Sequence, residues 1–577
     1  MGAIFGLVGD GSLEELRAMG SRMTHRGRFQ HAWNPAPGAY FGRASHTRFE
    51  LESAAPLAAD WHADGDANWL VGAVARAGIK AFSELRDFFA VAICTGTDVL
   101  LAVDQVGYKG LYYTWLRGRF AFASEYKALL ALTDLPAEPD RVSIQHYLAT
   151  KQPCTGHSFI ARVHAVPAGH AVTVADGRHV LASYWRPLEQ VVPRRPEEHV
   201  AVIRETLLRT VERQVRPHRV IGLTVGGGLD AAAVLGAVRH VAPKLPVSTF
   251  TIGTSPDDHE ILGARETARV FGTDHHEFVF DPAVIPDELP KLVWLSEDCG
   301  GREEAMLQLK VLGEAGARVS TVMGGHGADV LFGGMPRHRL VGMAERLPWL
   351  SYPLSELFAL SQAGTRPASL VGRALSAVVY GRNPPEVPTV PGATSAPQVY
   401  WHPELNEFIR VTVQRMNSLN YLEPAHESAR VTFRSPFLDP DMIAASLTVP
   451  GWLKAGWRRQ KWVLREAVAD LLPESIRRRP KAIQRVHGQH TLGHVVAATA
   501  ERWLYESSLE RHGLLTAAYL RRLRTEAGVA LRNREAADRL WTVLSLECWA
   551  HQFLDLRGEP LPVVAAQKAP LASGLAM

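Results

Sequence analysis

Two glycine-rich segments carry the residues best suited to chemistry. The first is Thr224-Val225-Gly226-Gly227-Gly228-Leu229-Asp230-Ala231-Ala232, which follows a compact apolar run at 220–225 and precedes a helical pattern. Glycines let a backbone approach a ligand closely, and a helix N-terminus offers free N–H groups and the positive end of a dipole. Such a segment suits an anion, a phosphate or pyrophosphate, and Asp230 at the helix start is placed to hold Mg²⁺ on a phosphate oxygen. Taken alone, the segment also reads as a plain glycine turn closing a strand–helix unit. The second segment, Gly324-Gly325-His326-Gly327-Ala328-Asp329-Val330-Leu331-Phe332-Gly333-Gly334, follows the strand pattern at 319–323. Ligands of parallel sheets sit at the carboxyl ends of strands, so the two loops can converge on one triphosphate, with Asp230 and Asp329 as paired carboxylates.

The elements that must position these loops follow from the apolar pattern. Helical periodicity at 197–216, 231–239, 260–271, 286–295 and 303–316 alternates with short apolar runs at 220–225, 247–252, 276–280 and 319–323. That alternation predicts a doubly wound parallel sheet with helices on both faces. Residues before about 190 read differently: runs at 3–8, 88–94 and 99–103, and a hairpin over 112–123 turning at Arg117-Gly118, predict an antiparallel sheet domain. A stretch with three prolines at 186–198 reads as the linker, giving domains of 1–190 and 191–560 and an Ala/Pro-rich flexible tail at 561–577. A second Pro-rich stretch, 383–391, interrupts the helical C-terminal part.

Bulk composition narrows the function classes. The 577 residues are 46% hydrophobic and 21% charged, with 63 Lys+Arg against 59 Asp+Glu. A net charge of +4 argues against a dedicated nucleic-acid binder. Four cysteines, Cys94, Cys154, Cys299 and Cys548, are too few and too scattered for a disulfide scaffold or a structural zinc site. No apolar stretch is long enough to cross a bilayer, and the first residues lack a basic signal-peptide start, so a cytoplasmic enzyme without membrane partners is expected.

Several stretches resemble the asparagine synthetase family, in which a glutaminase-like domain precedes an ATP-pyrophosphatase domain. The family's pyrophosphate loop, Ser-Gly-Gly-x-Asp-Ser, is similar to Gly226-Gly227-Gly228-Leu229-Asp230-Ala231, and its second loop to Gly324 through Gly334. Other matches are His25-Arg26-Gly27, Phe122-Ala123-Ser124-Glu125-Tyr126-Lys127-Ala128-Leu129, Gly272-Thr273-Asp274-His275-His276-Glu277, Ser435-Pro436-Phe437-Leu438-Asp439, Lys461-Trp462-Val463-Leu464-Arg465-Glu466, and the segment from Leu472 to Lys481. The resemblance implies ATP and Mg²⁺ as cofactors, activation of a carboxylate as its acyl-adenylate, and attack by an amine. It implies that Gly226, Gly227 and Gly228 cradle pyrophosphate and that Asp230 and Asp329 bind the metal. Thr224, Ile252 and Gly325 fall where the family contacts adenosine. Lys481 matches the lysine that stabilises charge during catalysis, and Lys461 is a phosphate contact or a surface cation. His326, where the family has an acid, is a base or a gap-filler.

The departures are as informative. The family's nucleophilic cysteine after the initiator Met is Gly2 here, and a glycine cannot replace a thiolate. The family's Asn-Gly-Glu segment appears as Val71-Gly72-Ala73, the stretch with its glutamine-binding Asp is missing between Gly78 and Phe82, and only Arg48 matches a glutamine contact. Glutaminase activity is therefore not expected, and another amine must be used. The amide-forming relatives with a dead glutaminase half are lasso peptide cyclases and β-lactam synthetases. The first is favoured, with 383–391 as a mobile lip for the peptide. In that reading the N-terminal amine of a precursor peptide attacks an adenylated Asp or Glu side chain and closes a macrolactam, with a leader peptidase and a leader-binding protein as partners. The alternatives are a small-molecule amide synthetase, β-lactam-forming or ammonia-dependent, and a non-catalytic scaffold.

Overall fold

The computed structural model describes residues 2–46, 57–61, 67–95, 98–187, 191–299, 304–361, 387–394, 400–416, 418–455, 460–479, 489–530 and 534–559. Lys481, Arg48, the tail at 561–577 and the first part of the 383–391 stretch lie outside them.

The N-terminal part is built from two antiparallel sheets. One has the order β2-β3-β1-β8-β7-β9, with β1 Gly2–Val8, β2 Phe29–Ala36, β3 Ala39–Ser45, β7 Tyr112–Leu116, β8 Arg119–Ala123 and β9 His164–Ala165. The other has the order β11-β10-β6-β5-β4, with β4 Leu57–Trp61, β5 Phe89–Thr95, β6 Asp98–Val103, β10 His170–Ala175 and β11 Arg178–Ser183. The β7–β8 hairpin turns at Arg117 and Gly118, both at positive φ (44° and 83°), the pair of left-handed residues that matches strand twist in a two-residue loop. Ile4, Phe41, Phe122, Leu101 and Val172 share one buried cluster, so the inward faces of the two sheets pack on each other.

In the second part β12 Ile221–Thr224, β13 Val247–Gly253, β14 Asp274–Val279, β15 Thr321–Met323 and β16 Thr432–Arg434 form a five-stranded sheet, order β14-β13-β12-β15-β16, with every pairing parallel. This is the predicted doubly wound sheet, with β12 between β13 and β15. The helix before β12 begins at Pro196, inside the stretch read as linker. Proline suits the first helical position because its missing N–H has no helical acceptor there, and Glu198 accepts the Arg195 N–H at 2.9 Å. Val71-Gly72-Ala73 lies in the middle of a helix, Ala67–Ala77. The described end of the second Pro-rich stretch is pinned, not a mobile lip. Gln145 donates to the Pro388 carbonyl at 3.2 Å and accepts the Val390 N–H at 2.6 Å, while Arg141 donates to the Pro391 carbonyl at 3.0 Å.

The two parts share a core. One buried cluster runs from Phe5, Tyr126 and Phe159 through Phe250 and Trp294 to Trp549 and Phe553. Trp549 donates its indole N–H to the Tyr126 hydroxyl at 2.7 Å. A buried ionic network crosses the same junction. Arg26 pairs with both carboxylate oxygens of Glu423 at 2.6 and 2.7 Å and with Glu125, while Lys109 meets Asp60 at 3.0 Å, Glu423 at 3.2 Å and Glu427.

Candidate active site

The first glycine loop leaves the carboxyl end of β12 and feeds the helix Leu229–Val241, whose N-cap is Gly228. The second leaves β15, the neighbouring strand, so the parallel pairing of β12 with β15 brings both loops to one edge of the sheet. Gly325 makes their contact possible: a Cβ there would lie 2.7 Å from the Ala231 nitrogen and 2.7 Å from the Asp230 Cβ. Gly327, at φ +97°, supplies the left-handed turn that starts the short helix Ala328–Leu331 and aims Asp329 back toward the first loop.

The two aspartates meet. The Lys461 ammonium lies 2.6 Å from each oxygen of Asp230 and 2.6 Å from Asp329 Oδ1. Lys461 arrives from a left-handed residue (φ 57°), with its N–H donated to the Lys454 carbonyl at 2.7 Å. Its stem passes over Gly334, where a Cβ would stand 2.2 Å from Lys461 Cε. Burial alone would lower the lysine pKa, but the facing Asp230 and Asp329 outweigh it and raise it, so the ammonium stays charged between them.

Asp230 and Asp329 line a cavity of about 620 Å³. Thr224, Gly226, Gly228, Ile252, Gly325 and His326 line it with them, whereas Gly227 and Lys461 are not among its lining residues. Burial pushes the His326 imidazole down to about 4, with Asp329 opposing, so the ring is neutral near pH 7. Other lining residues come from outside the parallel sheet: His146, Lys151 and Gln152 from the N-terminal domain, and Phe358, Tyr400, Arg415 and Tyr421 from the helical region. Sequence reasoning brought Thr224, Gly226, Gly228, Ile252, Gly325, Asp230 and Asp329 to one cavity. It missed the N-terminal residues, whose His-x₃-Thr-Lys-Gln spacing has no chemical signature.

Two carboxylates converging beside a glycine loop at a helix N-terminus form a hard oxygen set next to an anion cradle. These residues fit a magnesium-bound nucleotide. The domain model of asparagine synthase matches residues 202–551, which include both loops and Lys461. The chain belongs to the asparagine synthase family. A glutamine amidotransferase domain model matches residues 45–185. The chain is 26% identical over 535 residues to a glutamine-hydrolysing asparagine synthetase of Bacillus subtilis, an alignment covering 85% of this chain and 81% of that one. It is 27% identical over 425 residues to a carboxyethyl-arginine β-lactam synthase of Streptomyces clavuligerus, covering 72% and 68%. Asparagine synthase family proteins are ATP-dependent amide-forming ligases. Among the described residues no helix is long and apolar enough to cross a membrane.

Proposed function

We propose that this family member is an ATP-dependent macrolactam synthetase, a lasso peptide cyclase, that adenylates an Asp or Glu side chain of a precursor peptide and lets the peptide's N-terminal amine displace AMP. The observation that carries the ligase chemistry is the convergence of Asp230 and Asp329 on one point at the wall of a cavity that both domains line. The substrate carboxylate attacks the α-phosphorus, pyrophosphate leaves, the amine attacks the acyl carbon, and AMP and a proton depart. Asp230 and Asp329 would hold Mg²⁺, which supplies charge neutralisation on the phosphates. The glycine loop and the N-terminus of the helix Leu229–Val241 orient the leaving pyrophosphate. Lys481, two residues beyond Arg479, is the proposed cation for the adenylated intermediate; Arg479 itself donates to the Gly227 carbonyl at 3.3 Å.

Two features support an amine source other than glutamine. A Cβ on Gly2 would lie 2.3 Å from the Ala44 carbonyl oxygen, so β1 leaves no room for a thiol side chain there. Burial raises the pKa of Cys94, Cys154, Cys299 and Cys548 alike, which keeps these thiols protonated rather than nucleophilic. A wall that includes Phe358, Tyr400, Lys151 and Arg415 suits a substrate larger than an amino acid. The similarity to a β-lactam synthase favours a second reading, ring closure on a small molecule.

The deciding experiment supplies Mg-ATP and a peptide with a free N-terminus and an internal Asp or Glu. Peptide-dependent pyrophosphate release and a product lighter by one water are expected, both lost in Asp230→Ala, Asp329→Ala and Lys481→Ala. Pyrophosphate release with free amino acids and none with peptides would overturn the macrolactam reading, and glutamine hydrolysis by the unmodified protein would overturn the assignment of Gly2.

A further inference from the structure

Among the described residues of the phosphate loop, one acidic side chain sits where an anion would go. Glu260 Oε2 accepts the Gly227 N–H at 2.7 Å. Its position is built in. The helix His259–Phe271 begins at the cap Asp258, whose carboxylate accepts the Glu260 N–H at 3.0 Å and fixes the first turn against the loop. Glu260 is 9% exposed and lines the same cavity as Asp230 and Asp329. The loop leaves a slot for it: a Cβ on Gly226 would lie 2.0 Å from Glu260 Oε2. Arg479 ties the loop to the same helix, donating to the carbonyls of Gly227 and Gly263.

We infer that Glu260 is a specificity-determining residue of the phosphate loop: its carboxylate occupies the Gly227 N–H as an internal anion, so a phosphate binds only by displacing it, and metal-free phosphates are disfavoured relative to metal-bound ones. The inference rests on the reading of residues 226–228 as a pyrophosphate cradle. A charged acceptor makes a stronger bond to a backbone N–H than a neutral one, and an incoming phosphate must break that bond and approach a negative side chain. A cation shared with the phosphate lowers the charge that Glu260 repels, so the penalty falls mainly on the free anion. Gly226 belongs to the same device, because any side chain there drives the Glu260 carboxylate out of the slot.

The test is calorimetric titration of inorganic pyrophosphate into the full-length protein, with and without Mg²⁺. Glu260→Gln is expected to bind metal-free pyrophosphate about tenfold tighter than the unmodified protein, with a smaller change when Mg²⁺ is present. Gly226→Ala, which evicts the carboxylate without adding a polar group, is expected to shift binding in the same direction. That variant keeps the result readable if Glu260→Gln loosens the fold, which circular dichroism reports. Equal or weaker binding by both variants, with clear binding by the unmodified protein, would overturn the role of Glu260 and leave the cradle standing. Absence of pyrophosphate binding in all three proteins, with or without Mg²⁺, would overturn the cradle and this inference together.

Discussion

Buried histidines of this chain show how a single side chain's surroundings set a measurable pH response. His426 packs its ring 4.5 Å from Phe433 and bonds through Nδ1 to the Leu422 carbonyl at 2.6 Å. Burial holds its pKa at about 3 against a usual 6.5. Above pH 6.5 the folded and unfolded chains are both neutral at this position. As pH falls below 6.5 the unfolded chain takes the proton first, so stability is lost progressively toward pH 3. Buried acids act in the opposite sense. Burial lifts Asp104 and Asp298 to about 6 and Glu297 to about 7, so the folded chain takes those protons first and gains stability over part of the same range. The useful quantity is therefore a difference. His426→Gln is expected to narrow its stability gap to the unmodified protein by about 2 kcal/mol between pH 7.5 and pH 5. Urea titrations at the two pH values measure it, and a gap that does not change with pH refutes the assignment.

At the scale of elements, the site is an encounter between two strand-to-helix turns, and its tightest point carries no functional group. Gly325→Ala puts a methyl 2.7 Å from the backbone nitrogen of Ala231 and from the Asp230 Cβ. Neither neighbour is a flexible side-chain end, so the two loops must part. Nucleotide-dependent pyrophosphate release is expected to fall by about 10²-fold, because catalytic groups misplaced by ~1 Å lose that much. The thermal midpoint should drop by only a few degrees, since the movement is confined to the cavity wall. A variant with normal turnover would show that the loops need not touch. Most of these elements were legible in the sequence. The runs 220–225, 247–252 and 319–323 carry no charge and are rich in β-branched and apolar residues, which suits strands covered on both faces, and they became β12, β13 and β15. The glycines and aspartates announced the loops because few other residue types tolerate those positions. Glu260 was not legible: a glutamate in a helical first turn is ordinary, and only its contact with Gly227, 33 residues earlier in sequence, gives it meaning. The linker reading ran a few residues too far, because Pro196 to Glu198 are the first turn of the helix read from 197, and proline marks a helix start as readily as a loop.

For the whole molecule, the junction gives the amidotransferase-like half a structural part in the cavity. Arg26, in the match His25-Arg26-Gly27, and Glu125, in the match from Phe122 to Leu129, pair with each other, and Arg26 reaches Glu423 in the helix Ser418–Ala429. That helix carries Tyr421 into the wall of the cavity that His146 and Lys151 of the N-terminal half also line. The ionic network thus ties the helix that carries Tyr421 to the N-terminal half. Removing one partner from such a pair leaves a buried charge uncompensated, which is costlier than removing both. Arg26→Met is expected to destabilise the chain by about 3–5 kcal/mol, and Arg26→Met combined with Glu423→Gln by clearly less. Urea unfolding followed by tryptophan fluorescence gives both values. The single variant should also unfold in two separated steps, because the N-terminal sheets lose their tie to the helix that carries Glu423. If the double variant is as unstable as the sum of its two single variants, with one cooperative transition throughout, the network does not couple the halves, and the shared apolar core from Phe5 to Trp549 must hold the walls of the cavity by itself.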